Sequence, residues 1–407
     1  MAKLSSIAYY VTDKISSNDI SLAEYVTTDC ILQNKKGREV ATNLPPQPCS
    51  LIRYQRGDVL IANIRPYLKK VWFADIDGGA SPDVLVFRAK DGHSPSFLYA
   101  ILLQDSFFDY VMQGTKGSKM PRGDKEQILR YEMPTFSCSE ESIGTFFLNL
   151  DRKIHLNERI NQNLEAMAKQ LYDYWFVQFD FPNENGKPYK SSGGKMVWNE
   201  KLKREIPEGW EVKPINNRLE IKSGFPFKSD TYKTFGRYKI VTIKNVQDGE
   251  LVTSGCDYID ELPSRASDYI SLKTGDRLIS LTGNCGRLCV VCEENLLLNQ
   301  RVGLLYCDAT YLEYFYNFLS SNAMRTVVDN LANGAAQANL SPVELCKTDC
   351  FIPPKDILFM YNKKANTIRK TIIQNKREIS LLTKQRDELL PLLMNGQVSV
   401  NSDLSHD

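Results

Sequence analysis

The sequence predicts an α+β protein in which two similar globular domains are separated by two long helices that form an antiparallel coiled coil. Three observations predict this fold: an internal repeat, two long heptad seams, and short β-branched runs before each seam. The repeat has one fixed offset, which maps Leu150 onto Ile368 and Gly57 onto Gly275 (368 − 150 = 275 − 57 = 218). A solenoid unit repeats every ~20–50 residues, so this offset indicates two copies of a whole module with a pseudo-twofold relation.

Composition bounds the class of protein. A chain of 407 residues is long enough for two or more domains, and 42% apolar with 25% charged residues is ordinary for a soluble globular protein. The net charge of +2 gives no global field for nucleic acid or membrane, so any basic surface must be local. No apolar run approaches the ~18–20 residues of a membrane span, and residues 1–6 lack the apolar core of a signal peptide. We therefore expect a cytoplasmic protein without a membrane partner.

The pattern divides the chain into six predicted segments. They are a first domain (1–137), a first long helix (138–182), a linker (183–208), a second domain (209–353), a second long helix (354–396) and a tail (397–407). In the first domain we expect strands at 58–62, 70–74 and 83–87, a turn at 77–79 and a helix over 97–112. In the second we expect strands at 276–282, 288–292 and 302–307 and a helix over 311–331. The linker is hydrophilic, which is typical of a connector.

The two long helices carry apolar residues at steps of four and three over about five heptads. Such helices are ~60 Å long, which exceeds the needs of one small domain and favours burial of the two seams against each other. Two equivalent copies favour a twofold, antiparallel arrangement, although packing of each helix on its own domain remains an alternative. Pro391 should kink the last turn or end its regularity. The predicted seam consists of Leu150, Ile154, Asn157, Leu164 and Leu171 with Ile368, Ile372, Asn375, Ile379, Leu382 and Leu389.

Polar residues within the seam and apolar residues beside it carry further predictions. Asn157 and Asn375 occupy matching places, where a buried Asn specifies register, or where an Asn is tolerated at a solvated gap. Four apolar residues flank the seam of the first helix, and we expect partner helices to cover them. They are Phe146, Ile160, Met167 and Tyr174.

A search for catalytic motifs gives no candidate. The chain lacks a P-loop, a Rossmann Gly-rich turn and an Asn-Pro-Pro-aromatic tetrapeptide, and His93, His155 and His406 have no nucleophile or metal partner in sequence. Asp58 and Asp276 each follow a Gly before a strand, where Asp caps a turn. We therefore expect a binding protein with no catalytic residue.

The cysteines are expected to be buried thiols. Cys285, Cys289, Cys292 and Cys307 do not have the spacing of a paired zinc site, and two of them lie in a strand-like run. We therefore expect no bound metal.

Polar and basic side chains in loops remain as the candidate binding groups. Arg, Asn and Gln match base edges, whereas Lys and backbone amides hold phosphates. Ordinary solvated charge is the simpler interpretation of any single residue, and only recurrence in both copies supports the set. The candidate DNA-binding residues are Arg65, Lys69, Lys70, Lys116, Lys119, Arg122 and Lys125 in copy one, and Lys222, Lys228, Lys244, Asn245, Asn284, Arg287, Gln300, Arg301, Gln337 and Asn339 in copy two.

Several segments, in this order and spacing, give the chain a family resemblance. They are Leu150-Asp-Arg-Lys-Ile154, Asn161-Gln-Asn-Leu-Glu165, Trp175-Phe-Val-Gln-Phe-Asp-Phe-Pro182, Pro207-Glu-Gly-Trp-Glu-Val212 and Ser223-Gly-Phe-Pro-Phe-Lys228. Over essentially its full length the chain resembles the specificity subunit of type I restriction–modification systems. One departure is visible: copy one lacks an equivalent of 209–212, and we expect the tail 395–407 to complete it.

The resemblance implies a non-catalytic subunit whose two target-recognition domains each read one half of a split, asymmetric site in double-stranded DNA. It implies that the helices bind two modification (methyltransferase) subunits, and that two restriction (motor-nuclease) subunits complete the enzyme. S-adenosylmethionine, ATP and Mg would then lie on those partners, and this chain would bind no cofactor.

Two other classes stay open on the residues alone. The first is a dumbbell scaffold that joins two protein-binding domains through the coiled coil without contacting DNA, which the near-neutral charge favours slightly. Binding that falls steeply with salt would distinguish DNA recognition from it. The second is a stand-alone nuclease or methyltransferase, which needs a metal or cofactor site that the sequence does not reveal.

Overall fold

The computed structural model describes residues 2–115, 117, 119–133, 139–332, 338–394 and 397. The chain divides into two compact units: the first comprises 1–158 and 378–407, and the second comprises 159–377. Each unit contains two four-stranded sheets, short helices and one half of each long helix. Within the described part of the chain, no helix combines the length and apolarity that a membrane span requires.

The first unit is built around one antiparallel sheet and one mixed sheet. The first sheet has the order Ala8–Tyr10, Val84–Ala89, Val59–Ala62, Val71–Phe73, and the second Lys14–Ser16, Ser50–Tyr54, Gly78–Ala80, Tyr25–Val26, whose last pair is parallel. A further pair joins Ala2–Lys3 to Glu132–Met133. The helices are Leu4–Ile7, Pro95–Leu102, Asp105–Gln113 and Lys125–Leu129.

The second unit has a similar plan, but the fourth strand of its mixed sheet lies at the opposite edge. Its antiparallel sheet has the order Leu219–Ser223, Val302–Cys307, Arg277–Ser280, Leu288–Val290, and its mixed sheet Tyr258–Ile259, Tyr238–Val241, Leu296–Leu298, Ser271–Leu272. Glu211–Pro214 pairs with Asp349–Ile352. The helices are Ala309–Leu319, Asn322–Ala332 and Pro342–Cys346.

The repeat extends further towards the N-terminus than the sequence predicts. Ala8 pairs with Ala89 and Leu219 with Cys307, so these first strands correspond at an offset of 219 − 8 = 211. Copy two therefore has seven more residues (218 − 211 = 7) between its first strand and the turn at Gly275, which is the equivalent of Gly57. At the same offset (213 − 2 = 211), Ala2 faces Met133 as Lys213 faces Cys350. The prediction that copy one lacks an equivalent of 209–212 stays a prediction, because at this offset Ala2 already corresponds to Lys213. Of the tail 395–407, all but residue 397 lies outside the described residues.

The two long helices span Glu140–Tyr172, extended by a π-helical turn over Asp173–Val177, and Lys355–Met394. In the first unit Asn157 donates to Glu378 at 2.8 Å, and in the second Asn375 donates to Asn161 at 3.0 Å.

The direction of the pairing follows from these contacts and their neighbours. Asp151 contacts Arg386 in the first unit, and Glu165 contacts Arg369 in the second. Within each unit the partner's number falls as the helix number rises. The predicted antiparallel coiled coil is confirmed.

The predicted seam faces inward along both helices. Ile154 and Ile372 are 4% and 0% exposed, and none of the eleven seam positions belongs to the exposed class. Of the two seam asparagines, Asn157 is buried and hydrogen-bonded to the opposite helix, which supports the register interpretation rather than a solvated gap.

Aromatic packing holds the end of the first long helix in the second unit. Trp175 and Phe176 lie in the π-helical turn, and both rings contact Tyr361 of the second helix at centroid distances of 5.8 and 4.9 Å. Phe176 also meets Tyr314 edge-on at 5.1 Å. These buried rings remove a large apolar area from water and fix the helix ends to the domain core.

Four predicted elements differ in the structure. The helix expected over 97–112 is two helices that meet at Leu103 and Gln104, where Gln104 turns extended and its amide returns to the Ile101 carbonyl. The helix expected over 311–331 also breaks, because the Ser321 hydroxyl accepts from Met324 N–H and starts a new helix. The two shorter helices in each unit can each turn an apolar face to the sheet.

The other two differences concern connectors. The predicted turn at 77–79 overlaps a strand, Gly78–Ala80. A Cβ on Gly78 would lie 2.2 Å from the Glu24 carbonyl oxygen, so glycine here permits a close backbone approach rather than a turn. The linker 183–208 contains a β-hairpin, Met196–Asn199 with Arg204–Pro207.

Regularity does not end at Pro391. The second long helix continues to Met394, and Leu390 and Leu393 are buried against the first unit's core. With so few residues left, the proline removes only one hydrogen bond of the last turn.

The predicted turn caps are found, and the predicted buried thiols are found in part: Cys285 and Cys289 are buried, Cys292 and Cys307 are half-buried, and Cys49 is exposed. Asp58 accepts the Gln55 N–H at 2.8 Å, and Asp276 accepts the Lys273 N–H at 2.7 Å. Cys289 is fully buried in a strand, and burial raises the pKa of its thiol to about 12. Among the described residues, no group of three or more His, Cys, Asp or Glu side chains could hold a metal ion.

Candidate nucleic-acid interface

Two loops of the first unit are held together at one end of the antiparallel sheet, beyond its inner strand Val59–Ala62. The Arg65 N–H donates to the Pro121 carbonyl at 2.8 Å, and the Gly123 N–H donates to the Asn63 carbonyl at 3.3 Å. Ile64 and Arg122 form an isolated antiparallel bridge between them. The fold therefore brings the candidates after strand Val59–Ala62 next to those of the 119–125 loop.

The second unit repeats this pairing, with the first loop at an offset of 218 and the second loop at 217 (339 − 122). Thr282 bridges Asn339, the Gly283 N–H donates to the Ala338 carbonyl at 3.0 Å, and the Leu340 N–H donates to the Leu281 carbonyl at 2.8 Å. Thr282 is the equivalent of Ile64 (282 − 64 = 218). We call each pair of joined loops a paired-loop surface: 63–70 with 119–125 in the first unit, and 281–287 with 338–341 in the second.

The first paired-loop surface presents two arginines. Arg65 is exposed and has a left-handed backbone with φ of 54°. This conformation costs a non-glycine residue ~1 kcal/mol or more. The residue equivalent to Arg65 in the second unit is Gly283, which also has a left-handed backbone, with φ of 73°. Arg122 is 58% exposed and lies 3.2 Å from Asp83. An arginine at a position where glycine would adopt the same backbone without strain indicates that the arginine side chain has a function.

The lysines of the first unit differ in their availability. Lys119 and Lys125 are exposed, and Tyr10 donates its hydroxyl to the Lys125 carbonyl at 3.0 Å; burial raises the pKa of that hydroxyl. Lys69 pairs with Asp105 at 2.9 Å, and the Lys70 ammonium donates to the Thr28 carbonyl at 2.5 Å. The last two side chains hold loops together. Lys116 lies outside the described residues.

A third loop joins the second paired-loop surface. The Leu281 N–H donates to the Arg301 carbonyl at 3.0 Å, and the Gln300 N–H donates to the Phe225 carbonyl at 3.0 Å. Gln300 and Arg301 are exposed. The first unit makes the equivalent bond from Asn63 N–H to the Asp83 carbonyl at 2.9 Å. The same backbone hydrogen bond, which we call the shared backbone frame, thus holds Asp83 in copy one and Arg301 in copy two (301 − 83 = 218).

Other candidates of copy two lie on the same face or support it. Asn284 and Asn339 are exposed, and the Arg287 guanidinium donates to the Gln247 side chain. Asn245 is buried, and its carboxamide holds the 242–252 turn through Thr242 and Val252.

The remaining lysines of copy two lie on strand and loop surfaces. The Lys222 ammonium lies 3.2 Å from the ring centroid of Tyr306. Lys228 and Lys244 are exposed in loops. Gln337 lies outside the described residues.

Known proteins with a similar sequence match this chain over nearly its whole length. No family model matches the chain. It is 25% identical over 409 residues to the type I restriction enzyme MjaIX specificity subunit of Methanocaldococcus jannaschii, covering 95% of this chain and 86% of the relative. It is 23% identical over 458 residues to the HindI specificity subunit of Haemophilus influenzae, covering 97% and 98%. The chain is related to type I restriction enzyme specificity subunits.

The fold agrees with that of a solved specificity subunit. The S subunit of a type I restriction–modification system from M. genitalium matches with a TM-score of 0.60 at 14% identity, covering 96% of this chain and 95% of that one. The predicted resemblance and the predicted fold class are therefore confirmed.

Two residues that the sequence does not single out contact candidate DNA-binding side chains. Asp83 orients Arg122, and Tyr306, which is 52% exposed, supports Lys222. The repeat could have found Asp83, because it is the equivalent of a chosen residue, Arg301. The sequence does not single out Asp83, because its side chain and that of Arg301 carry opposite charges.

Proposed function

We propose that the chain is the DNA-recognition subunit of a type I restriction–modification enzyme. Each unit reads one half of a bipartite, asymmetric site in double-stranded DNA, and the chain itself is non-catalytic. The observation that carries this proposal is the paired-loop surface, which recurs in both units with one backbone frame and different side chains.

The chemistry of these surfaces suits DNA. Exposed Arg65 and Arg122 in one unit, and Asn284, Arg301 and Asn339 in the other, offer the forked donors and acceptors that match guanine and adenine edges. Exposed lysines nearby suit phosphates.

Asymmetry of the site follows from the substitutions between copies. Equivalent positions hold Arg65 and Gly283, and Asp83 and Arg301. A carboxylate at one half and a guanidinium at the other present opposite hydrogen-bonding patterns to a base edge, since Asp accepts and Arg donates. Two domains with one frame and opposite groups would favour two different half-sites.

The partner surface lies beside the seam of the first long helix. In the second unit, Ile160, Met167 and Tyr174 are spaced by seven residues and are 38%, 52% and 39% exposed. Phe146 is half-buried against Phe147 in the first unit, so it contributes less free surface. An apolar stripe at heptad spacing fits a helix of a partner. We assign it to modification subunits, which would supply S-adenosylmethionine chemistry, with ATP and Mg on motor-nuclease subunits.

The experiment is a DNA-binding titration of the chain in complex with its modification subunit. We expect specific affinity to fall steeply as salt rises, because phosphate contacts release counterions. Arg301→Ala should weaken specific binding by about tenfold, whereas Lys203→Ala, in the hairpin, should leave it unchanged. Salt-independent binding, or no DNA binding by the assembled complex, would instead support the dumbbell scaffold.

A further inference from the structure

Buried charges accompany the apolar seam of the two long helices. In the first unit the Asp151 carboxylate lies 3.3 Å from the Arg386 guanidinium, and both residues are about 95% buried or more. Tyr99 donates its hydroxyl to the same carboxylate at 2.8 Å. A buried charge is tolerated only with such partners, because leaving one unpaired costs several kcal/mol.

The second unit contains a corresponding cluster. Arg369 is 3% exposed and lies 3.3 Å from Glu165 of the opposite helix and 3.3 Å from Glu313 of the domain. Lys376 lies 3.8 Å from the same Glu165. In these two clusters the first helix supplies the acid and the second helix supplies the bases, whereas the exposed pair Lys153–Glu378, at 3.5 Å, has the opposite polarity.

The internal repeat makes the distribution informative. Asp151 and Arg369 are equivalent positions (369 − 151 = 218), and so are Glu158 and Lys376 (376 − 158 = 218). The apolar seam does not distinguish the copies, since Ile154 corresponds to Ile372 and stays apolar. The two pairs of charged positions named above have opposite signs in the two copies.

Self-pairing of copy one would bring like charges together. Asp151 would stand where Arg369 stands, opposite Glu165 of the second copy. Glu158 would replace Lys376 at the same carboxylate. Three acidic side chains would meet where the partly exposed Glu165 now faces two bases, Arg369 and Lys376.

Self-pairing of copy two is equally unfavourable. Arg369 would stand where Asp151 stands, opposite Arg386, and the place of Glu165 would be taken by Thr383 (383 − 165 = 218). Two guanidinium groups would then share a site that now holds a guanidinium–carboxylate pair. Like charges in contact disfavour these pairings, and a seam that is equally apolar in like and unlike pairs does not compensate for them.

We propose that the seam flank is a charge-coded interaction surface that selects the unlike helix as its partner and rejects a second copy of the same helix. The partner that fits the first helix carries bases at the places of Arg369, Lys376 and Arg386. The partner that fits the second carries acids at the places of Asp151 and Glu165. The apolar seam supplies affinity, and the buried ion pairs decide which helices associate.

The first test uses the full chain with a protease site inserted after Gly193, in an exposed turn of the linker. The purified protein is cut, unfolded in urea, refolded by dilution and weighed by native mass spectrometry. We expect pairs of unlike halves to exceed like pairs by at least about tenfold over a random mixture. In the double variant Arg369→Asp, Lys376→Glu, this preference should fall towards random. A random mixture from the unaltered chain would overturn the proposal.

The second test uses the uncut chain and needs no reassembly. Arg369→Asp places the copy-one residue opposite Glu165, and it should lower the folding equilibrium constant by at least about tenfold more than the uncharged Arg369→Met. Adding Glu165→Arg should recover part of the loss, because the pair is restored with its charges exchanged. Equal effects of Asp and Met at this position, or no recovery, would contradict a charge code.

Discussion

The imidazole of His155 and the carboxylate of Asp151 lie 3.2 Å apart, one helical turn from each other on the first long helix. Burial would lower the pKa of His155, but the hydrogen bond and charge of Asp151 hold it above its usual value. Burial would likewise raise the pKa of Asp151, but His155, Arg386 and Tyr99 hold it below its usual value. This pair ties the helix charge cluster to solution pH.

A pH dependence of stability follows from the His155 shift. Because the folded pKa is raised, the contribution of His155 is fully present below its unfolded value of 6.5 and is lost as pH rises through the folded pKa. The Asp151 contribution is lost only as pH falls through a folded pKa below 3.8.

We expect His155→Gln to lower the free energy of unfolding by about 1 kcal/mol near pH 5.5 and by less near pH 9. Urea unfolding of the parent and variant across this range measures the difference. A difference that grows with pH would contradict the assignment.

The turn at Gly37 closes over the same histidine. Gly37 has φ of +76°, and a Cβ there would lie 2.8 Å from His155 Nε2, so Gly37→Ala adds both backbone strain and a clash. Gly92 is the matched control, because its φ is +86° and its Cβ would meet nothing within 4 Å. We expect Gly92→Ala to cost about 1 kcal/mol and Gly37→Ala about 2–3 kcal/mol in the free energy of unfolding. Equal losses would mean that the ring does not pack against the turn.

The apolar stripe of the first long helix predicts a separation of folding from assembly. Met167→Glu places a charge on an exposed side chain, so the circular dichroism spectrum and thermal midpoint should stay close to those of the parent. Co-purification with the modification subunit should fall at least about tenfold, because a buried unpaired charge costs several kcal/mol. Gln170→Glu, exposed on the same helix, is the control for added charge. Full co-purification of Met167→Glu would remove this stripe from the partner surface.

Helix length predicts the spacing of the recognised half-sites. Seven residues inserted after Glu158 and seven after Arg377 preserve the contacts inside each unit and lengthen each helix by about 10 Å. We expect the preferred DNA spacer to change while both half-site sequences stay the same, and sequencing of methylated genomic sites measures both. New half-sites with the old spacer would contradict this role of the helices.

The sequence predicted elements whose signal is local and periodic. Seam residues such as Ile154 and Ile372 follow from heptad spacing alone, and both are buried. The second sheet of each unit was missed because its strands are short, and because Gly78 and Gly79 carry the usual mark of a turn. Only the carbonyl of Glu24, far away in sequence, shows why glycine is required there.

The charge clusters could not be predicted from spacing. Arg386 interrupts the apolar pattern of the second helix, and its neighbour Asp387, at 3.0 Å, is only one of its two acidic partners. Its partner Asp151 is 235 residues away and becomes adjacent only through antiparallel pairing. The same holds for the paired-loop surfaces, where the backbone bond between Arg65 and Pro121 depends on the tertiary fold.

Exchange of the first domain tests most directly whether each unit reads its own half-site. Residues 1–136 are replaced by the corresponding segment of a relative, and the hybrid is expressed with its modification partner in cells whose methylated sites are then sequenced. We predict that one half-site changes while the other half-site and the spacer are retained. A change in both half-sites, or in neither, would contradict independent recognition by the two units.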